Sequence, residues 1–246
     1  MKFEIVVESV AGAITAERTG ADRVELVSAL VDGGLTPTVG AVERTLDATS
    51  RIGVFPIIRA RGGDFVYDEH EAAVMERDAA ILRKVGVPGV VIGALTPDGR
   101  IDRPVVERLI AAADGAEVTF HRAFDVAADP RAALDELIDL GVARVLTSGQ
   151  EATAGEGAPL IAELVRRAAG RIIVMPGGGV REDTAGAIVA ATGAEELHFS
   201  GGDTAPSPAT HQNPKVAMGG GRVPPESERR VTSAERIVRI MRAAKG

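Results

Sequence analysis

Short runs rich in Val and Ile alternate with longer amphipathic stretches at an average spacing of about 30 residues, the length of one βα unit. Eight such units follow one another. Strands are expected over 3–8, 22–27, 54–59, 88–92, 117–121, 143–147, 171–175 and 195–199, and helices over 10–19, 38–48, 69–85, 104–113, 130–140, 157–169, 182–191 and 233–244. Start signals support the helices: Thr36-Pro37, Asp102 ahead of Pro104, Asp129-Pro130 and Thr232-Ser233-Ala234-Glu235 place capping oxygens or Pro at the first turn. Gly20, Gly86, Gly115, Gly141, Gly170 and Gly193 stand where a left-handed stop is needed. Eight units without a long linker predict an α/β fold, a closed (β/α)8 barrel that takes in residues 1–246 as one domain. The interruption is 200–231, where Pro206, Pro208, Pro214, Pro224, Pro225 and Gly219-Gly220-Gly221 predict an irregular lid, interface arm or loop before the last helix.

An open doubly wound sheet is the competing architecture, but its central strands would be apolar on both faces. Here they alternate. Phe3, Ile5 and Val7 oppose Glu4, Val6 and Glu8; Val24 and Leu26 oppose Arg23, Glu25 and Val27; Val118 and Phe120 oppose Thr119 and His121. The apolar set is expected to face the helices. Glu4, Glu8, Arg23, Glu25, Arg59, Thr119, His121, Thr147, His198 and Ser200 are then expected to point at the barrel axis. Buried ions cost several kcal/mol each unless paired, so Arg23 and Arg59 are expected to meet some of Glu4, Glu8 and Glu25. A structural ion-pair network plugging the barrel is the plain alternative to a functional site.

The 35 acidic against 28 basic residues leave a net charge of -7, which repels nucleic-acid phosphates and anionic headgroups. Neither nucleic acid nor membrane is an expected partner. No apolar run reaches the roughly 18 residues of a membrane span, and MKFEIVVES lacks the form of a signal peptide, so a cytoplasmic protein is expected. Without cysteine there are no disulfides, thiolate metal sites or cysteine nucleophiles. Lys2, Lys84, Lys215 and Lys245 all fall away from the strand ends, which removes a Schiff-base lysine, and Ser148 lacks the flanking glycines of a nucleophile elbow.

What remains sits at strand carboxyl ends, where barrel enzymes keep their chemistry. Arg59 and Arg61 flank Gly62-Gly63 and Asp64 after the third strand, a pairing suited to a carboxylate or phosphate, with Asp64 able to hold one guanidinium. Arg23 and Arg122 are further candidates for the same anion. His121 closes the fifth strand with Asp125 near it, an arrangement for general acid/base work with the carboxylate orienting the imidazole; a satisfied core histidine is the bland alternative. Glu25 is a second acid/base candidate. Gly177-Gly178-Gly179 after the seventh strand and Ser200-Gly201-Gly202 after the eighth occupy the loops that often bind phosphate through bare amides, although tight turns also need glycine. A metal held by Glu25, His121 and His198 is a third arrangement, without a local spacing motif behind it.

Several blocks carry a family resemblance: Gly20-Ala21-Asp22-Arg23-Val24-Glu25-Leu26, Gly33-Gly34-Leu35-Thr36-Pro37, Pro56-Ile57-Ile58-Arg59 with Arg61-Gly62-Gly63-Asp64-Phe65, Thr119-Phe120-His121-Arg122-Ala123-Phe124-Asp125 and Val145-Leu146-Thr147-Ser148-Gly149-Gln150. Together with Glu4 they resemble the CutC family of copper homeostasis proteins, in colinear order from residue 3 to about 202. The resemblance implies a cytoplasmic barrel, a homodimer or higher homo-oligomer, and a copper ion as ligand. It also implies cysteines in the first two strands, and this chain has Val6 and Val27 there. Cu(I) prefers thiolate or thioether ligands, so copper is left with Met and His. Two readings follow: a copper-handling protein, and a barrel enzyme working by acid/base chemistry on a small anionic or phosphorylated molecule.

Overall fold

The computed structural model describes residues 1–211, 213, 215, 224–225 and 227–246. Strands β1 (Lys2–Val7), β2 (Arg23–Leu26), β3 (Gly53–Pro56), β4 (Gly89–Ile92), β5 (Glu117–Phe120), β6 (Arg144–Thr147), β7 (Ile173–Pro176) and β8 (Glu196–Ser200) alternate with helices. The helices are α1 (Val10–Thr19), α2 (Val39–Ala48), α3 (Glu69–Val85), α4 (Arg103–Ala112), α5 (Pro130–Asp139), α6 (Ala158–Ala168), α7 (Ala185–Thr192) and α8 (Ala234–Lys245). The six ladders among these strands are all parallel. β1 pairs with β2 on one side and β8 on the other, β2 continues to β3, and β4 to β7 form the second run. The Ile57–Val91 bridge, with Ile58 N–H donating to the Val91 carbonyl at 2.8 Å, links the third and fourth strands. β7 lies against β8, so near that a Cβ on Gly177 would come within 3.2 Å of the His198 Cβ. The expected (β/α)8 barrel is the fold.

Caps form where the sequence offers them. The side chains of Ser9, Thr38, Asp68, Asp102, Asp129 and Ser233 accept first-turn amides, and Asp68 with Glu71 completes a capping box. The main core lies between strands and helices and includes Phe3, Ile5, Val24, Leu26, Val90, Phe120, Val145 and Leu197. A smaller apolar cluster of Val6, Val27, Phe55, Ile57 and Val91 fills the barrel interior. Gly89 makes it possible, because a Cβ there would meet the Phe55 ring at 1.9 Å. Among the described residues no helix is long and apolar enough to cross a membrane.

Two expectations need correction. The arms of the 200–231 segment are regular: β9 (Gly202–Pro206) pairs antiparallel with β10 (Glu228–Thr232). A two-stranded ribbon is all edge, so Pro206 at its end costs no ladder bond. Pro214 and Gly219-Gly220-Gly221 lie outside the described residues. In β6 the inward set is Arg144 and Leu146, while Thr147 faces outward and donates its hydroxyl to Asp125 at 2.5 Å. The polarity of Thr147 suggested an axial position, but the loop carboxylate supplies its partner instead.

The amino-terminal end of the barrel is closed by ions. Arg23, Arg144 and Glu196 are the first residues of β2, β6 and β8. Glu196 accepts from Arg23 and Arg144, both at 2.6 Å, and Arg23 Nε also donates to Glu4 at 2.5 Å. All four are buried. Arg23 therefore serves the plug and does not reach an anion at the other end, which corrects its assignment as a binding residue. Replacing Glu196 by Gln should lower stability by about 3–5 kcal/mol, because it removes the charge shared by two buried guanidiniums. Urea unfolding should show a reduced midpoint with an unchanged slope; an unchanged midpoint contradicts the role given to this network.

Candidate functional site

A cavity of about 610 Å³ opens at the carboxyl ends of the strands. Val6, Ile57 and Leu146 give it an apolar floor; Glu25, His198, His121 and Arg59 supply buried polar groups; Arg122, Arg181 and Arg236 stand on its rim. Gly178, Gly179, Ser200 and Gly202 contribute backbone.

Glu25 follows Arg23 by two in β2, so strand alternation places both side chains on the axis, with Glu25 nearer the mouth. His198 stands likewise two residues past Glu196 in β8. His198 Nδ1 hydrogen-bonds Glu4 Oε1 at 2.8 Å, and its Nε2 lies 3.7 Å from Glu25 Oε2. Burial opposes charge on all three groups, but the neighbours decide the outcome. For Glu4, the His198 bond and charge together with Arg23 overcome burial and bring the carboxyl down to about 2. For His198, the Glu4 bond and the Glu25 and Glu4 charges overcome burial and raise it above the usual imidazole value. Glu25 has no such rescue. Burial raises it, the His198 charge pulls it back in part, and Glu4 raises it further, to about 7. The result is a carboxylate–imidazolium pair with a second carboxyl beside it that exchanges a proton near neutrality.

His121 sits directly after β5 and is buried against Phe65, with ring centroids 5.0 Å apart. Its approach requires Gly93, because a Cβ there would fall 2.3 Å from His121 Cε1. Burial first, then the Arg59 charge, lowers its pKa to about 3, so the ring is neutral. Nδ1 accepts the Ala123 N–H at 3.0 Å, which leaves the proton on Nε2. His121 is thus a neutral donor and not the general base expected of it. Asp125 does not orient it: that carboxylate accepts from the amides of Ser148 and Gln150 and the hydroxyls of Thr147 and Ser148, and is paired with Arg122 at 2.7 Å. Asp125 fixes the loop after β6 and holds the rim arginine in place.

The anion candidates divide. Arg59 lines the cavity, but its guanidinium meets carbonyls, not the expected carboxylates: Nη1 donates to Asp32 and Gly34, and Nη2 to Gly63. Gly178 and Gly179 line the cavity at φ of 94° and 69°, and a Cβ on Gly178 would crowd the Arg122 guanidinium at 3.3 Å. Ser200 is also present and accepts the Gly202 amide. Arg61 is not: it pairs with Glu71 and Asp64 and donates to the Val66 carbonyl, so Arg61 and Asp64 organise the start of α3. Gly201 faces away, where a Cβ would strike Ile237 of α8 at 2.4 Å. Glu8 is exposed and accepts the Leu30 amide. The three-ligand metal arrangement also fails, since among the described residues no group of three His, Asp or Glu could hold an ion. The sequence reading missed Leu146, Phe65, Arg181 and Arg236, and only the two arginines carried a signal, as cations just past the glycine loop and at the start of α8.

Comparison with known proteins gives a consistent set. The CutC family model matches residues 1–203. A family protein CutC of Bacteroides thetaiotaomicron is 43% identical over 244 residues, covering 99% of this chain and 98% of the relative. The copper homeostasis protein cutC homolog of Homo sapiens is 44% identical over 243 residues, covering 99% of this chain and 89% of its own. A solved CutC from Streptococcus agalactiae superposes with a TM-score of 0.76 at 32% identity, covering 81% of this chain and 98% of that one. Phosphoribosyl anthranilate isomerase of Thermotoga maritima, at a TM-score of 0.60 and 12% identity over 100% of this chain and 99% of that one, shares the fold alone.

A raised carboxyl pKa has a defined signature. The contribution of protonated Glu25 to stability is complete below the unfolded value of 4.5 and is lost as pH rises through about 7. Glu25→Gln should therefore match the parent near pH 4.5 and exceed it by about 3 kcal/mol at pH 8. Denaturant melts across that range check it; a pH-independent difference contradicts it.

Proposed function

The chain belongs to the CutC family of copper homeostasis proteins, and we propose that its barrel mouth is an acid–base site for a small organic anion. The observation that carries this reading is Glu25: a buried carboxyl 3.7 Å from His198, held near about 7, lining a cavity large enough for a metabolite. A group so poised can accept and return a proton at physiological pH. His198, tied to Glu4, keeps the local charge nearly fixed while Glu25 titrates. Arg122, Arg181 and Arg236 supply positive charge at the rim, and the Gly178-Gly179 turn brings backbone beside them. Of these, Arg236 has the loosest partner, Asp203 at 3.9 Å.

Copper enters through the human and mouse relatives, each named a copper homeostasis protein cutC homolog. The donors of this chain fit Cu(I) poorly. There is no thiolate, and Met175 Sδ lies buried at the closed end, accepting from Arg23 at 3.5 Å. His198 is held as a cation by Glu4 and Glu25, which leaves His121, with its buried Nε2 unpartnered, as the neutral imidazole of the cavity. No step of the proposed chemistry runs through the metal.

Two outcomes are expected. Inorganic phosphate, hydroxy acids or sugar phosphates should raise the melting temperature, and Arg181→Ser combined with Arg236→Ser should abolish the rise; if no anion shifts the parent protein, the reading fails. In a competition titration, a strong Cu(I) chelator should keep its copper in the presence of the protein, and stoichiometric transfer to the protein would contradict the poor donor fit.

A further inference from the structure

Three buried side-chain polar atoms among the described residues meet no hydrogen-bond partner: Arg59 Nε, Tyr67 Oη and His121 Nε2. Buried donors are almost always satisfied, so each unsatisfied one needs an explanation. Tyr67 does not line the cavity, whereas Arg59 and His121 both do. These two are not loose side chains. Phe65 touches both, with its ring 5.0 Å from that of His121 and 4.9 Å from the Arg59 guanidinium carbon. Arg59 is pinned through its other two nitrogens to the carbonyls of Asp32, Gly34 and Gly63, and His121 through Nδ1 to the Ala123 amide. What is left over is the Nε–H of Arg59, beside one remaining Nη2–H, and the Nε2–H of His121, each held by bonds made elsewhere on the same group. The Tyr67 hydroxyl stands beside Arg59 outside bonding geometry, and His121 Nε2 has no acceptor of the protein, although Asp32, Glu25 and Asp125 line the same cavity. Fixed donors without a protein acceptor are the arrangement that stabilises charge developing on an oxygen.

We infer that Arg59 Nε–H and His121 Nε2–H bind the carbonyl oxygen of the substrate, which is therefore a small carbonyl compound carrying an anionic group, and that the proton moved by Glu25 is one on the carbon next to that carbonyl. This rests on the acid–base reading of Glu25. The step balances without a co-reactant. The Glu25 carboxylate takes the C–H proton, the C–H electron pair forms a carbon–carbon double bond, and the carbonyl electrons move to the oxygen held by the two N–H groups. Return of the same proton from Glu25 to carbon regenerates a carbonyl. A neutral imidazole suits the donor role, since it polarises the oxygen without delivering a proton to it. Arg122, Arg181 and Arg236 at the rim then take the anionic end.

The test compares two probes by calorimetry, 2-phosphoglycolate, whose carboxylate imitates the enediolate, and inorganic phosphate, which engages the rim alone. The parent protein should bind 2-phosphoglycolate at least ~10-fold more tightly than phosphate, the scale of one hydrogen bond to a charged group. His121→Phe, which keeps a ring against Phe65, should lose that ratio while retaining phosphate binding, and His121→Gln, which restores an N–H, should recover most of it. In parallel, the His121 Nε2–H proton resonance of the parent should move downfield on adding 2-phosphoglycolate. Equal ratios in the parent and His121→Phe, or an unmoved resonance, overturn the donor assignment while phosphate binding leaves the anion reading standing. Failure of the parent to bind either probe overturns both.

Discussion

One buried column of alternating charge runs the length of the barrel: Arg144, Glu196, Arg23, Glu4, His198 and Glu25. Each of the first five contacts its successor at hydrogen-bond distance except the last step, which opens to 3.7 Å. Within the column each ion is balanced by its neighbours, which is the condition for holding charge out of water. The consequence reaches the mouth. Because Arg23 and Glu196 neutralise each other's surplus, Glu4 is free to hold His198 as a cation, and Glu25 is left as the terminal group with a partner already satisfied elsewhere.

The two histidines of the cavity show how surroundings assign roles. His198 has a carboxylate on either side and is held charged; His121 has Arg59 near it and an amide on Nδ1, and is held neutral. Equal burial produces opposite protonation states because the neighbouring charges differ in sign. The cavity therefore offers a proton exchanger, a fixed cation behind it and a neutral donor in one enclosure with an apolar floor. Exposed cationic character lies at the rim, where Arg122, Arg181 and Arg236 stand partly open to solvent.

Much of this was legible in the sequence, for a physical reason. Strand alternation has a period of two, so Glu4, Arg23, Glu25 and His198 could be aimed at the axis from spacing alone. The same rule misplaced Thr147, because a polar residue in an outward position can be satisfied by a loop, and no pattern announces the Asp125 carboxylate that does so. Arg61 and Asp64 looked like a ligand clamp because loop residues have no periodicity to fix their direction; the structure pairs them with each other and turns Arg61 to Glu71 at the head of α3. Gly93 and Gly89 were silent in the sequence, since a glycine that makes room for a ring across the barrel has no local signature. The β9–β10 ribbon was obscured by the prolines around it.

The central claim is that Glu25 titrates near neutrality while Glu4 stays ionised beside it. Side-chain carbon NMR of carboxyl-labelled glutamate, followed from pH 3 to 9, tests it directly. The account predicts one buried carboxyl with its transition near pH 7 that disappears in Glu25→Gln, and another that stays ionised to about pH 2. A Glu25 transition in the ordinary range around 4.5 would contradict it, and with it the acid–base role of the barrel mouth.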